Sequence, residues 1–202
     1  MIYVRSEPPE DLPVSRAELK AHLRREPDDT HEDALLDAYL AAAVDHLDGR
    51  GGILGCCLVD QEWLAYADFP VPIGSGRHER GFRLELGPIR TDLTVSVQYR
   101  RAGAWLYVDP DTFWIVQERG ERASVVPAPG RSWPAADAVR NAWRITFRAG
   151  FGGPEHVPPA IRAAVLLLAA DLYEDRGGKS AAGLVPNATV DRLLGPYSLV
   201  TV

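Results

Sequence analysis

Between Arg162 and Asp171 the chain runs through eight residues, AAVLLLAA, without one polar side chain. At 3.6 residues per turn, that run passes more than twice round a helix. A helix with no wet face has to be covered by protein on every side, because a stretch this short falls well below the roughly 20 apolar residues that a bilayer span needs. The rest of the chain must supply that cover.

A length of 202 residues is enough for one large core, or for one domain carrying an inserted second. Hydrophobic residues at 46% and charged residues at 25% are ordinary for a globular protein and favour neither a disordered nor a membrane class. The net charge of -6 argues against a general nucleic-acid binder, which needs a basic surface to displace phosphate counterions. It leaves open a surface that DNA merely slides past. The opening MIYVRSEPPEDLP is acidic and proline-bearing, without the basic and then apolar pattern of a signal peptide, so folding in the cytoplasm is expected. Cys56 and Cys57 are adjacent in a strand-like run, where a bridge between neighbours is strained, and are expected as free thiols in or beside the core. Asn187-Ala-Thr189 matches a glycosylation sequon that has no meaning without secretion.

Three sections follow one another. In the first, Ser15 with Glu18 three residues on forms a capping box at the head of SRAELKAHLRR, and Pro27 ends that helix. Thr30 is expected to open a second helix, HEDALLDAYLAAAVDHLDG. It carries Leu36, Leu40, Ala43 and Leu47 on one stripe, keeps Asp33, Asp37, Asp45 and Asp48 largely off it, and stops at Gly49. From Gly51 to about Pro154 the period changes to 2. The strand candidates are CCLVDQEWLAYADF, GFRLEL, LTVSVQYRR, AWLYV, TFWIVQE, ASVVPA and NAWRITFRAG, separated by Gly, Pro and Asp turns. In the third section Val157-Pro158 leads into the apolar helix, which ends near Gly177, and NATVDRLLG forms a last short helix before the tail PYSLVTV.

The order implies an α+β chain: a helical bundle built from residues 1–50 and 155–202, with an inserted antiparallel β-sandwich or barrel-like domain over 51–154. Leu36, Leu40 and Leu47 can cover Ile161, Val165, Leu168 and Leu172 on one side of the apolar helix. The other side, with Ala163, Leu166, Leu167 and Ala170, needs the last helix, the sheet or another subunit.

The sequence offers few motifs that carry chemistry. GGKS at 177–180 resembles the end of a phosphate-binding loop, but the first glycine of that motif falls on Tyr173 and the segment follows a helix rather than a strand. The five histidines show no metal-site spacing, and the Asp45-His46-Leu47-Asp48 cluster reads as a solvated acidic face. AGFGGPEH, residues 149–156, lacks a dinucleotide-binding spacing and reads as a hinge between domains. Arg90, Arg100, Arg101, Arg144 and Arg148 are candidates for a basic patch on the strand domain, a weak signal in a chain where arginine outnumbers lysine twenty to two. All five tryptophans, Trp63, Trp105, Trp114, Trp133 and Trp143, fall in or beside the strand region, where packing is the ordinary role. No catalytic constellation, metal site or cofactor motif emerges.

Several phrases, in this order, resemble the head-tail connector, or adaptor, proteins of long-tailed bacteriophages and of phage-like gene transfer agents. They are LPVSRAELKAHLR, DDTHEDALLDAYLAAAVDHLDGRGG, QEWLAYADFP, LGPIRTDLTVSVQY, WRITFRAGFGGPEHVPPAIRAAVLLLAADLYEDRGG and VPNATVDRLLGPYS, spanning most of residues 12–198. The resemblance implies a structural protein of the virion or phage-like particle rather than an enzyme, assembled in the host cytoplasm and set at the head-tail interface. Twelve copies would form a ring below the portal protein, above a tail-side completion (stopper) protein, with DNA as transiting cargo during packaging and delivery, and with no membrane or cofactor involved. It also implies that Leu36, Leu40, Leu47, Ile161, Val165, Leu166, Leu167, Leu168 and Leu172 form the bundle core, covered by the chain's own N-terminal helices, with a neighbouring subunit as an alternative or further cover. The tail Pro196, Tyr197, Ser198, Leu199, Val200, Thr201 and Val202 would reach the portal. The strand region is larger than the simplest members of that family need, and is expected to face outward or toward the tail. A different class stays open from the residues alone, a small-molecule or carbohydrate-binding module using the tryptophan-rich strands.

Overall fold

Ser15 opens helix α1 (Arg16–His22) with the reciprocal pair that its sequence implies. Its hydroxyl accepts the N–H of Glu18 at 3.3 Å, and the Glu18 carboxylate accepts the N–H of Ser15 at 2.9 Å. The computed structural model describes residues 1–73, 80–90, 95–117, 122–175 and 188–198. The chain divides into two compact units, one of residues 10–59 and 151–202, the other of 1–9 and 60–150.

The first unit holds α1, α2 (Asp33–Leu47), α3 (Pro159–Glu174) and α4 (Ala188–Leu194). Helices α1, α2 and α4 all pack against α3. Leu36, Leu40, Leu47, Ile161 and Val165 are at most 2% exposed, so the stripe on α2 meets the apolar run on α3. Thr30 does not cap α2. The cap position falls on Glu32, whose side chain makes no capping bond; the entry is fixed by ion pairs instead. Arg25 bridges Asp29 at 2.8 Å and Glu32 at 2.9 Å, and the buried Lys20 reaches Asp33 at 2.6 Å. Carboxylates at this end are also favoured by the helix dipole.

The end of α2 departs from expectation too. Asp48 is buried, and its carboxylate accepts the N–H of Leu58 at 2.7 Å, while Gly49, at φ +72°, turns the chain out of the helix. A Cβ on Gly52 would lie 2.3 Å from the Leu47 carbonyl carbon, so only glycine fits where the returning backbone crosses the helix end. Leu54, Cys56, Leu58 and Val59 consequently join the helical core, and the unit boundary falls at residue 60 rather than 51. Cys56 and Cys57 are both buried thiols outside any disulfide, but they lie ahead of the strand rather than in it.

Among the described residues the second unit holds nine strands: β1 (Ile2–Glu7), β2 (Gln61–Ala67), β3 (Val71–Pro72), β4 (Arg80–Leu84), β5 (Ser96–Arg101), β6 (Ala104–Tyr107), β7 (Phe113–Gln117), β8 (Ala123–Pro127) and β9 (Trp143–Ala149). They form two antiparallel sheets with open edges, in the orders β1-β2-β9-β5-β6 and β3-β4-β8-β7, rather than a closed barrel. Strict alternation of burial along β2 and β9 places Trp63, Ala65, Ile145 and Phe147 on one dry face. Phe82 from one sheet lies 5.1 Å from Trp143 of the other, ring centre to ring centre, and Trp133 sits against both.

Strand β1 comes from the first nine residues, which sequence reading assigned to the helical section. It pairs along β2, and the Tyr3 hydroxyl donates to the Arg83 carbonyl at 3.2 Å and accepts from the Glu85 N–H at 3.0 Å. The β-branched and aromatic side chains of Ile2, Tyr3 and Val4 are the reason this segment is extended.

Candidate assembly surfaces

Within one chain the apolar helix is only partly covered. Ile161, Ala164, Val165 and Ala169 are fully buried and Ala170 nearly so; Leu166, Leu167 and Leu168 are half-buried, and Leu172 is 41% exposed. Large aliphatic side chains therefore keep some exposed surface on both sides of α3, Leu168 and Leu172 on the side of Ile161 and Val165, Leu166 and Leu167 on the side of Ala163 and Ala170, where a surface helix normally carries polar ones. Arg162 and Tyr173 of the same helix are bonded to Glu18 and Glu32 respectively. The N–H and hydroxyl of Ser15, then Arg162, hold the Glu18 carboxyl below its ordinary value against the opposing effect of burial.

After α4, Gly195–Tyr197 form a short 3-10 turn, and Tyr197 packs on the helical core. Pro196 and Ser198 are exposed. Leu199, Val200, Thr201 and Val202 lie outside the described residues, as do Gly177 and the GGKS segment.

Among the described residues of the strand unit, two clefts neighbour each other. One, of about 550 Å³, is lined by Phe69, Trp133, Trp143 and Val139 with the carboxylates of Asp68 and Asp137. Both carboxylates are engaged by backbone: Asp68 accepts from Asn141 at 2.7 Å, and Asp137 accepts from Ala102 and Gly103 at 3.0 Å each. The indole N–H of Trp133 donates to the Arg80 carbonyl at 2.7 Å. The other cleft, of about 380 Å³, is lined by Ile2, Val4, Tyr66, Arg100, Trp105, Arg140 and Asn141.

Strand register explains the second cleft. Ile2 stands opposite Tyr66, Tyr66 opposite Arg144, Arg144 opposite Gln98, and Arg100 opposite Trp105, so residues far apart in sequence share one face of the five-stranded sheet. The guanidinium groups of Arg100 and Arg144 lie 5.0 and 4.7 Å from the centre of the Trp105 ring. Of the arginines singled out in the sequence, these two come together. Arg148 is engaged by Asp60 at 2.9 Å and Glu7 at 3.4 Å. Arg140 was missed, and nothing local in its sequence marks it. The tryptophans divide: Trp63 and Trp143 are core, Trp105 and Trp133 half-buried, and Trp114 is 55% exposed on the edge strand β7.

Among the described residues no group of three or more His, Cys, Asp and Glu is placed to hold a metal ion, and no helix is long and apolar enough to cross a membrane.

No protein-family model matches the chain, and no curated protein does. Solved structures do. The chain is 26% identical, with a TM-score of 0.75, to a chain from the neck of an empty GTA particle computed with C6 symmetry. It is 25% identical, with a TM-score of 0.74, to a chain from the virion of a native gene transfer agent (GTA) particle. A third likeness, of fold alone, is to a chain from the neck of a native GTA particle computed with C12 symmetry, at 22% identity and a TM-score of 0.69. Each covers 100% of this chain and 97% of the other.

Proposed function

We propose that this chain is a structural protein of the neck of a phage-like particle, a head-tail connector whose copies form a ring between the portal protein and the tail-side completion protein. The observation that carries the reading is the full-length likeness to chains from GTA necks, which takes in the helical unit and the strand unit alike. Ring assembly gives the half-buried leucines of α3 a reason: Leu166, Leu167 and Leu168 have apolar surface left for a neighbouring copy. A twelve-fold ring suits the C6 and C12 symmetry of those neck structures. Residues 196–202 would reach the portal, and DNA would pass through the ring as cargo. A net charge of -6 favours a wall along which DNA slides over one that holds it. The chain acts without catalysis or cofactor in this reading. Electron microscopy of the purified chain mixed with the portal protein of the same particle tests it: rings stacked on the portal are expected, and a monomer that ignores the portal overturns it.

The aromatic cleft at Phe69, Trp133 and Trp143 favours a second reading, a carbohydrate- or small-molecule-binding module. Ligand-dependent quenching of tryptophan fluorescence across a sugar panel, in a chain that forms no ring, would establish it over the first.

A further inference from the structure

The cleft at Trp105 concentrates positive charge in an acidic chain. Arg100, Arg140 and Arg144 border or adjoin it, and among the described residues none of the three has a carboxylate within ion-pair distance. Arg144 donates to the side-chain oxygen of Gln98 at 2.7 Å, and the Nε of Arg100 is buried without a hydrogen-bond acceptor. Asp137 does act electrostatically on Arg100, but it is tied to the amides of Ala102 and Gly103. A buried guanidinium nitrogen left unpaired is costly, and a carboxylate is the group that satisfies its geometry.

The helical unit is the complement. Arg16, Lys20, Arg25 and Arg162 are all engaged with carboxylates of their own unit. The exposed Asp45, Glu174 and Asp191 have no cation partner among the described residues. By sequence, residues 10–59 and 151–202 carry 16 acidic against 9 basic side chains, and residues 1–9 and 60–150 carry 12 against 13. A closed ring of identical copies joins two different surfaces of each copy, so an acidic unit and a basic cleft on one chain can meet between neighbours.

We infer that the cleft formed by Arg100, Arg140, Arg144 and Trp105 is a copy-to-copy contact that receives carboxylates from the helical unit of a second copy of this chain. This rests on the ring reading above. Two features favour a protein surface over the phosphates of DNA as the occupant. The cleft wall opposite the arginines is apolar and exposed, with Ile2 at 57% and Val4 at 46%, which a sugar-phosphate backbone would leave wet. The face of Trp105 is already taken by guanidinium groups, so it is not a free platform for a base.

The test is native mass spectrometry of the full chain over a range of salt concentrations. The set comprises wild type, Arg140→Glu, Arg140→Glu/Arg144→Glu, and Arg131→Glu as a charge control outside the cleft. Arg140 is exposed, so its single variant is expected to fold even if the double variant does not, and circular dichroism melts check both. Wild-type rings should weaken as salt rises, Arg140→Glu should weaken copy-copy affinity about tenfold at low salt, and Arg131→Glu should match wild type. Rings of unchanged stability in Arg140→Glu and in a folded double variant overturn the contact while leaving the ring standing. Wild type that stays monomeric under every condition overturns the ring, and the contact with it. Retention of duplex DNA on a filter by wild type, lost in Arg140→Glu whose rings are intact, assigns the cleft to phosphates and also overturns the contact.

Discussion

The carboxylate of Asp137 accepts the backbone N–H of Gly103 at 3.0 Å across 34 residues of sequence, and its other oxygen takes the N–H of Ala102. Those two residues form the turn between β5 and β6, both at positive φ, +51° for Ala102 and +81° for Gly103. Such a two-residue turn matches the twist of the strands but is strained at a residue bearing a Cβ. The two amide donors hold the Asp137 carboxyl below its ordinary value of 3.8, with Gly103 the larger cause. A folded-state value below the unfolded one stabilises at neutral pH and is lost as pH falls through the folded value. Asp137→Asn is therefore expected to melt below wild type at pH 7, with the gap closing as the pH drops under 3.8. Thermal melts from pH 7 to pH 3 check this; a gap that does not narrow refutes it.

Position on α3 decides the cost of substitution there. Ile161 is fully buried against α2, so Ile161→Ala is expected to lose roughly 2–5 kcal/mol in urea unfolding. Leu167 is only half-buried, so Leu167→Asp should leave a cooperatively folding monomer that no longer forms rings. If sedimentation finds rings of wild-type stability, this side of α3 is not a subunit contact.

What the sequence disclosed was whatever depends on near neighbours. Ser15 and Glu18 are three residues apart, and their capping box is present; the 3.6 period of Leu36, Leu40 and Leu47 put all three in the core. Strand β1 was passed over because its Pro- and Glu-rich continuation masked six extended residues, and it is ordered by pairing with β2, some 60 residues on. The Trp105 cleft could not be read at all. Tyr66, Arg100 and Arg144 become neighbours only through the strand order β1-β2-β9-β5-β6, which no local spacing encodes. Likewise, a run free of polar groups showed that α3 needs cover all round, but not that one chain would leave Leu172 exposed.

Asp48 looked like one more carboxylate on a wet face, and instead it lies buried and accepts the Leu58 N–H. Asp48→Ala would strand that buried donor and is expected to cost about 1–3 kcal/mol. Asp48→Asn keeps an acceptor oxygen and should recover most of it. Equal losses for the two variants in denaturant titrations would show that the charge, rather than the hydrogen bond, matters here.

The end of the chain separates into two parts. Tyr197 rests on the helical core after a turn through Pro196, so a cut at Gly195 would remove packing as well as tail. Beyond Ser198, the sequence Leu199-Val200-Thr201-Val202 has strong strand propensity and no charged side chain, a composition suited to joining a partner's sheet edge, where backbone bonds supply affinity and alternate side chains specificity. A chain ending at Ser198 is therefore expected to keep its melting temperature and helix content and to form rings with itself, yet to be lost from a pull-down on the portal. A chain ending at Gly195 should melt lower, because the Tyr197 contact goes as well. Portal binding of unchanged affinity by the Ser198 truncation would exclude the tail as the joining element. A collapse of its melting temperature would instead place those four residues against the chain's own fold.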